Sequence, residues 1–172
     1  KKGITGIVLE YIQTTDQSGP FHWATHDYSH TNLNYEATGK DNYYNNYFYA
    51  EGWAHFGMNN GNPLLTSPIY NTDGSLWHFN NRVKATHVGI SYTLSKCFSG
   101  RILTTYSKNY GTHDIPYFNV KECLYSLAEV CYHPQYTTGW NFTISGGWDK
   151  SSITGNNRGI SLKINKVGLL TK

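Results

Sequence analysis

Residues 82–94 read Arg-Val-Lys-Ala-Thr-His-Val-Gly-Ile-Ser-Tyr-Thr-Leu, and Val88, Ile90, Tyr92 and Leu94 alternate there with the small or polar His87, Gly89 and Ser91. In an extended chain successive side chains point to opposite faces, so this stretch makes a ribbon with one greasy and one wet face. The pattern recurs. In residues 159–165, Ile160, Leu162 and Ile164 oppose Gly159, Ser161, Lys163 and Asn165. In residues 140–149, Trp140, Phe142, Ile144 and Trp148 oppose Asn141, Thr143, Ser145 and Asp149. Weaker versions occupy residues 5–13, 101–110 and 121–132, and one or two further strands are expected within residues 43–58. Aromatic residues (16%) slightly outnumber charged ones (15%), and this profile favours strands over a helix bundle. The expected fold is all-β, an antiparallel up-and-down β-barrel in a single domain spanning residues 1–172, with less than about a tenth of the chain helical.

Alternation alone does not say which face meets water. Residues 95–100 and 133–139 look like short turns, whereas residues 16–41, 57–80, 111–119 and 150–157 look like long loops. Short turns on one side and long loops on the other are the habit of outer-membrane barrels. Gly89, Ser91, Gly159 and Ser161 suit a crowded lumen, and Trp140, Trp148, Tyr92 and Tyr110 near strand ends resemble aromatic girdles. The barrel is therefore expected to be of outer-membrane type, with this chain as part of a larger barrel or a small barrel by itself. Glu10, Glu129 and Asp149 cost too much facing lipid, so each is expected on the lumen side with a partner among Arg82, Lys84, Arg101 or Lys163. No run of eighteen apolar residues exists, which excludes a transmembrane helix and leaves membrane strands untouched. The opening Lys1-Lys2-Gly3 runs at once into a strand pattern and reads as a piece of something longer.

Chemical motifs are sparse. Cys97, Cys123 and Cys131 lack metal spacing. On one strand Cys123 and Cys131 would lie roughly 27 Å apart and cannot bond to each other; Cys97, in a turn, could reach one of them, but unpaired thiols, buried or lipid-facing, are the expectation. His22, His26, Asp27 and His30 crowd one segment without a recognisable ligand pattern, which reads as a polar loop and not a metal site. His87 and Ser91 share a face but stand roughly 14 Å apart, too far for a base and its nucleophile. There is no G-x-S-x-G either, so no catalytic residue, enzyme activity or cofactor is expected. The sequon Asn141-Phe142-Thr143 is set aside as chance. A net charge of +3, scattered along the chain, argues against nucleic acid as a partner.

Residues 42–68 mix rings with amides: Tyr43, Tyr44, Asn45, Asn46 and Trp53, followed by Gly61-Asn62-Pro63. Aromatic faces stack on the C–H faces of sugars and amides pair with hydroxyls, so the stretch suits a polysaccharide. It equally suits a belt at a membrane boundary.

Several segments, in order, carry a family resemblance. They are Glu10-Tyr11-Ile12-Gln13-Thr14 with Gln17-Ser18-Gly19-Pro20, Tyr43-Tyr44-Asn45-Asn46 with Gly52-Trp53 and Gly61-Asn62-Pro63-Leu64, and Asn81-Arg82-Val83. Thr105-Tyr106-Ser107-Lys108-Asn109-Tyr110-Gly111, Glu129-Val130 and Gly155-Asn156-Asn157-Arg158-Gly159 complete the set. Together they resemble the C-terminal portion of the Wzi-type capsule assembly proteins of Gram-negative bacteria. The resemblance implies a barrel of about eighteen strands in the bacterial outer membrane, lectin-like and non-catalytic, which binds capsular polysaccharide and helps attach the capsule to the cell surface. Its partners would be that polysaccharide and outer-membrane lipid. On this reading Tyr43, Tyr44, Asn45, Asn46, Trp53, Asn62, Arg82 and Asn109 are the candidate carbohydrate-binding residues. The alternatives are a small outer-membrane barrel with an adhesive or lipid-modifying role and a soluble β-barrel binding module.

Overall fold

A computed structural model describes residues 2–16, 44–46, 48–136 and 139–168. It is all-β. Eight strands follow in order: β1 (Gly3–Gln13), β2 (Ala54–His55), β3 (Met58–Asn59), β4 (Val83–Thr93), β5 (Phe98–Gly111), β6 (Pro116–Tyr132), β7 (Trp140–Ser151) and β8 (Gly155–Lys166). Among the described residues the helical content is one 3-10 turn, Pro68–Tyr70. Six long strands form one antiparallel sheet in the order β1-β4-β5-β6-β7-β8, so β1 and β8 are its edges, and β2 pairs with β3 in a separate hairpin. All six alternating segments read from the sequence are strands, and the two short ones lie at residues 54–55 and 58–59.

The chain divides into two compact units. The first comprises Lys1–Tyr11, Thr86–Tyr106 and Glu122–Lys172, the second Ile12–Ala85 and Ser107–Lys121. In the first unit cross-strand register sorts side chains by chemistry. Val130, Ile144 and Leu162 are neighbours, as are Tyr132, Phe142 and Ile164, and Ala128, Gly146 and Ile160. The opposite face carries Glu129, Ser145 and Ser161, then Tyr125, Asp149 and Asn157. On that polar face Arg101 Nε lies 3.0 Å from Glu129 Oε1, and four residues further along β5 Thr105 Oγ1 lies 2.6 Å from His87 Nδ1. Val88 and Ile90 therefore share the apolar face with Ile160, Leu162 and Ile164, as the alternation requires. Of the three carboxylates expected on the polar face, Glu129 finds the partner Arg101, and Asp149 sits opposite Tyr125 and Asn157. Glu10, on the edge strand β1, makes no ion pair among the described residues. No disulfide joins the three cysteines. Cys123 is buried beside Ser151 Oγ at 3.2 Å, and Cys131 accepts a bond from Thr143 Oγ1, both on the polar face and away from the apolar one.

Loop lengths depart from the expected alternation of short and long. Within 111–119 and 150–157 the strands run on to tight turns at residues 112–115 and 152–154. Thr112 Oγ1 accepts from Ile115 N at 2.9 Å, and Ser151 Oγ accepts from Ile153 N at 3.1 Å and Thr154 N at 3.0 Å. One hydroxyl at each corner satisfies the backbone of the reversal, so polar residues that read as loop instead continue into β6 and β8. The long connection is the one between β1 and β4.

That connection builds the second unit, whose apolar core is small: Tyr44, Leu65, Val83 and Ala85, with Leu64 packed against them. Polar side chains are buried with them, among them His78, Asn80, Asn81 and Asn109. Asn80 Nδ2 donates to Asn109 Oδ1 at 2.8 Å, and Thr14 Oγ1 donates to Asn81 O at 2.8 Å. Buried amides of this kind are tolerated because each finds a partner.

Candidate functional site

The ring-and-amide stretch folds around Tyr44. This ring is buried, 8% exposed, and meets the His78 imidazole edge-on at a centroid distance of 5.4 Å. Its hydroxyl accepts from Asn62 N at 3.1 Å, and its carbonyl accepts from Trp53 N at 2.9 Å. A side chain at Gly52 would collide with that same carbonyl, with a Cβ only 2.1 Å away, and φ there is +55°. Glycine alone permits the close pass.

The neighbouring amides are engaged within the unit. Asn45 bridges to the backbone of His78, its Nδ2 donating to His78 O at 3.0 Å and its Oδ1 accepting from His78 N at 2.7 Å. Asn46 Oδ1 accepts from Phe48 N and Tyr49 N, and Asn62 Oδ1 accepts from Leu64 N. Asn109 is 1% exposed, with Nδ2 given to Ser107 Oγ and Lys121 O. Arg82 Nε donates to Thr15 O at 3.3 Å. Of the candidate sugar-binding residues, Tyr44, Asn45 and Asn62 come together as scaffold, Asn109 lies in the interior, and Trp53 presents its ring to water, 63% exposed. Tyr43 lies outside the described residues.

Rings that sequence reasoning did not single out join Trp53 at the surface. Phe48, Tyr49, Phe56, Tyr70 and Trp77 are all exposed. The hairpin of β2 and β3 pairs His55 with Met58, leaving Phe56 and Gly57 as a two-residue loop with φ of +48° and +73°. Positive φ at both central positions is the turn that matches strand twist, and it normally selects Asn or Asp followed by Gly. Here a phenylalanine, 81% exposed, occupies the strained position. Gly57 O accepts from Ile69 N at 2.9 Å, which brings the 3-10 turn carrying Tyr70 against the hairpin tip. Asn71 Nδ2 donates to Ser75 O and to Trp77 O, pinning the segment that holds Trp77. The signal for these rings lay in the Phe56-Gly57 dipeptide, where a bulky residue precedes glycine between two short strand signals.

His78 is fully buried, and its Nε2 lies 2.5 Å from Asn59 Oδ1. Its Nδ1 has no hydrogen-bond partner among the described residues, and desolvation lowers its pKa below the ordinary histidine value. Asn59 also donates to Leu65 O, so one amide joins the histidine to the apolar core. Asp73, at an exposed bend, has its carboxyl pKa lowered by hydrogen bonds from Ser75. No group of three metal-ligating side chains occurs among the described residues, and His22, His26 and His30 lie outside them. Comparison with known proteins adds no relative: no family model, no curated protein and no solved structure matches the chain.

Proposed function

We propose that the chain is part of an outer-membrane β-barrel that binds capsular polysaccharide at the bacterial cell surface and helps to hold the capsule there. The observation that carries the membrane half is the exposure of the two faces of β7, which lies inside the sheet next to the edge strand β8. A soluble sheet buries its apolar face. Along β7 Phe142 is 40% and Ile144 52% exposed while the polar-face residues Thr143, Ser145 and Asp149 are half-buried; the edge strand β8, with Ile160, Leu162 and Ile164 beside them, is exposed on both faces. An apolar face turned outward is what a lipid environment asks of a strand. The ends of the band support the same reading. Trp148 sits opposite Arg158 at one end, and at the other Trp140 sits opposite Lys166, whose Nζ lies 5.7 Å from the ring centroid. Rings paired with cations suit a headgroup boundary. The two cations are separated by about 27 Å of strand, or roughly 20 Å of height at a barrel's tilt, near the roughly 25 Å apolar band of such barrels. Each of the six long strands has at least 11 residues, enough to cross.

Glycan binding is supported by the exposed rings of Trp53, Phe56 and Tyr70, gathered on one small hairpin-and-turn scaffold. The amides of Asn45 and Asn62 fix that scaffold, so specificity would come from ring faces more than from those amides. Purified capsular polysaccharide titrated into the detergent-solubilised protein tests this half. Removing both Trp53 and Phe56 as alanines should weaken binding about thirty-fold, taking about 1 kcal/mol per stacked ring. Unchanged affinity in a folded double variant would sink it. A protein that stays monomeric at high concentration in plain buffer would instead sink the membrane half.

A further inference from the structure

Away from the ring-bearing segment, three side chains from distant places in the sequence form a relay. Ser99 stands near the start of β5, His133 follows β6, and Asn141 is the second residue of β7. His133 Nδ1 lies 2.6 Å from Asn141 Oδ1, and His133 Nε2 lies 3.1 Å from Ser99 Oγ. The amide oxygen can only accept, so Nδ1 carries the ring proton and donates it to Asn141. Nε2 then keeps its lone pair and accepts from the Ser99 hydroxyl. Cys131 Sγ, 4.0 Å from Nδ1, is a weaker acceptor. Nucleophile, base and orienting group thus stand in the order and at the distances that acyl transfer needs. His133 N donates to Cys97 O at 2.7 Å, which anchors the imidazole beside the β4–β5 turn. All three side chains are half-buried, sheltered yet within reach of solvent. Asn141 faces Asn165 in the β7–β8 register, on the polar side of the sheet. A substrate would come from water and not from the apolar face.

We propose that Ser99, His133 and Asn141 form a hydrolytic centre for short-chain carboxylic esters of a water-soluble alcohol, such as an O-acetylated sugar. Ser99 Oγ bonds to the acyl carbon as its proton passes to His133 Nε2. The ester C–O bond then breaks, and the departing alcohol oxygen takes that proton. Water attacks the acyl-serine, giving a proton to Nε2, and the carboxylic acid leaves as Ser99 recovers it. One ester and one water become one acid and one alcohol. Asn141 is the positioning residue that fixes the tautomer. Arg101, about 7 Å along the same face of β5, offers a guanidinium to the charge developing on the carbonyl oxygen. Its side chain is 51% exposed, and Glu129 holds it in place through Nε.

The test needs only the full chain, a fluorophosphonate probe and p-nitrophenyl acetate. The wild type should give one covalent adduct, mapped by mass spectrometry to Ser99, and the adduct should vanish in His133→Ala. Ester hydrolysis should fall at least about a hundred-fold in Ser99→Ala and in His133→Ala. Asn141→Ala should lower kcat with little change in KM and displace the pH profile, and Asn141→Asp should restore part of the rate. A merely structural strap would leave the pH profile unmoved. No adduct, an adduct elsewhere, or hydrolysis unchanged in Ser99→Ala would overturn the proposal. Cleavage of p-nitrophenyl palmitate in micelles without cleavage of the acetate would overturn the short-acyl assignment. Should Ser99→Ala fold poorly, labelling of the wild type decides alone.

Discussion

The β6–β8 ladder and the connection between β1 and β4 solve the same problem, satisfying the backbone, by opposite means. In the ladder each strand's amides and carbonyls pair with the next from Cys123↔Ser151 through Tyr132↔Phe142, and the side chains are left to suit their surroundings. In the connection the strands are two residues long, and asparagine side chains substitute for a ladder: Asn45 to His78, Asn59 to Leu65, Asn62 to Leu64, Asn71 to Trp77. Backbone pairing frees a face to be wholly apolar. Side-chain pairing instead ties specific residues to specific partners, so the second region should be far less tolerant of change.

Tyr44→Ala is the strongest way to test that contrast. It removes the largest ring of a small core, its edge contact with His78 and the acceptor for Asn62 N. The cost should be about 4 kcal/mol. Hydrogen exchange should show lost protection at Trp53 N and Asn60 N, whose partners are Tyr44 O and Trp53 O, while amides of β7 and β8 stay protected. Equal loss in both places would show that the regions fold as one.

Next in size comes a paired substitution on β8. If the apolar face meets lipid, Leu162→Arg should cost about 2–4 kcal/mol in vesicles, whereas Ser161→Arg on the other face should cost well under 1. Denaturant titration in lipid measures both. Similar costs for the two would remove the membrane reading, because a solvated face accepts arginine almost freely.

The contrast also explains what the sequence disclosed. Ile160, Leu162 and Ile164 announce a strand because a period of two survives in one dimension. Nothing periodic marks Asn80 and Asn109 as buried partners: an asparagine inside and one in a loop look alike until the contact between residues 29 positions apart is known. Thr112 and Ser151 misled for a related reason, since a hydroxyl that closes a tight turn has the same composition as a long loop. The relay of Ser99, His133 and Asn141 was illegible for want of any local spacing. The nearby pair His87 and Ser91 drew the eye, but His87 bonds to Thr105.

A smaller effect should follow pH. His78 has its pKa lowered by burial, so above about 6.5, the unfolded value, both states hold it neutral and stability is at its plateau. As pH falls below that value the unfolded chain takes a proton that the folded imidazole refuses, and stability declines by up to about 1.4 kcal/mol per pH unit until the lowered folded pKa is reached. Unfolding of the connection followed between pH 7.5 and 5 should show the slope, and His78→Gln should flatten it. An identical slope in the variant would assign the effect to another group.

The smallest change separates shape from function within the hairpin of β2 and β3. Phe56 holds φ at +48° with its ring in water, where asparagine would adopt the same backbone at less cost. Replacing it by asparagine should therefore stabilise the hairpin by about 1 kcal/mol, the strain that a bulky residue carries in the left-handed region. If the ring is there to stack on a sugar, the same substitution should weaken polysaccharide binding about five-fold, again about 1 kcal/mol. Stability and affinity would then move in opposite directions, which no purely structural role for Phe56 produces. The substitution also loses the ring contact between His55 and Phe56, 4.4 Å between centroids, and His55→Ala alone sets its size. A variant that gains stability with affinity intact would take Phe56 out of the binding surface and leave Trp53 and Tyr70 to carry it; one that loses both would mean the ring packs more than it presents.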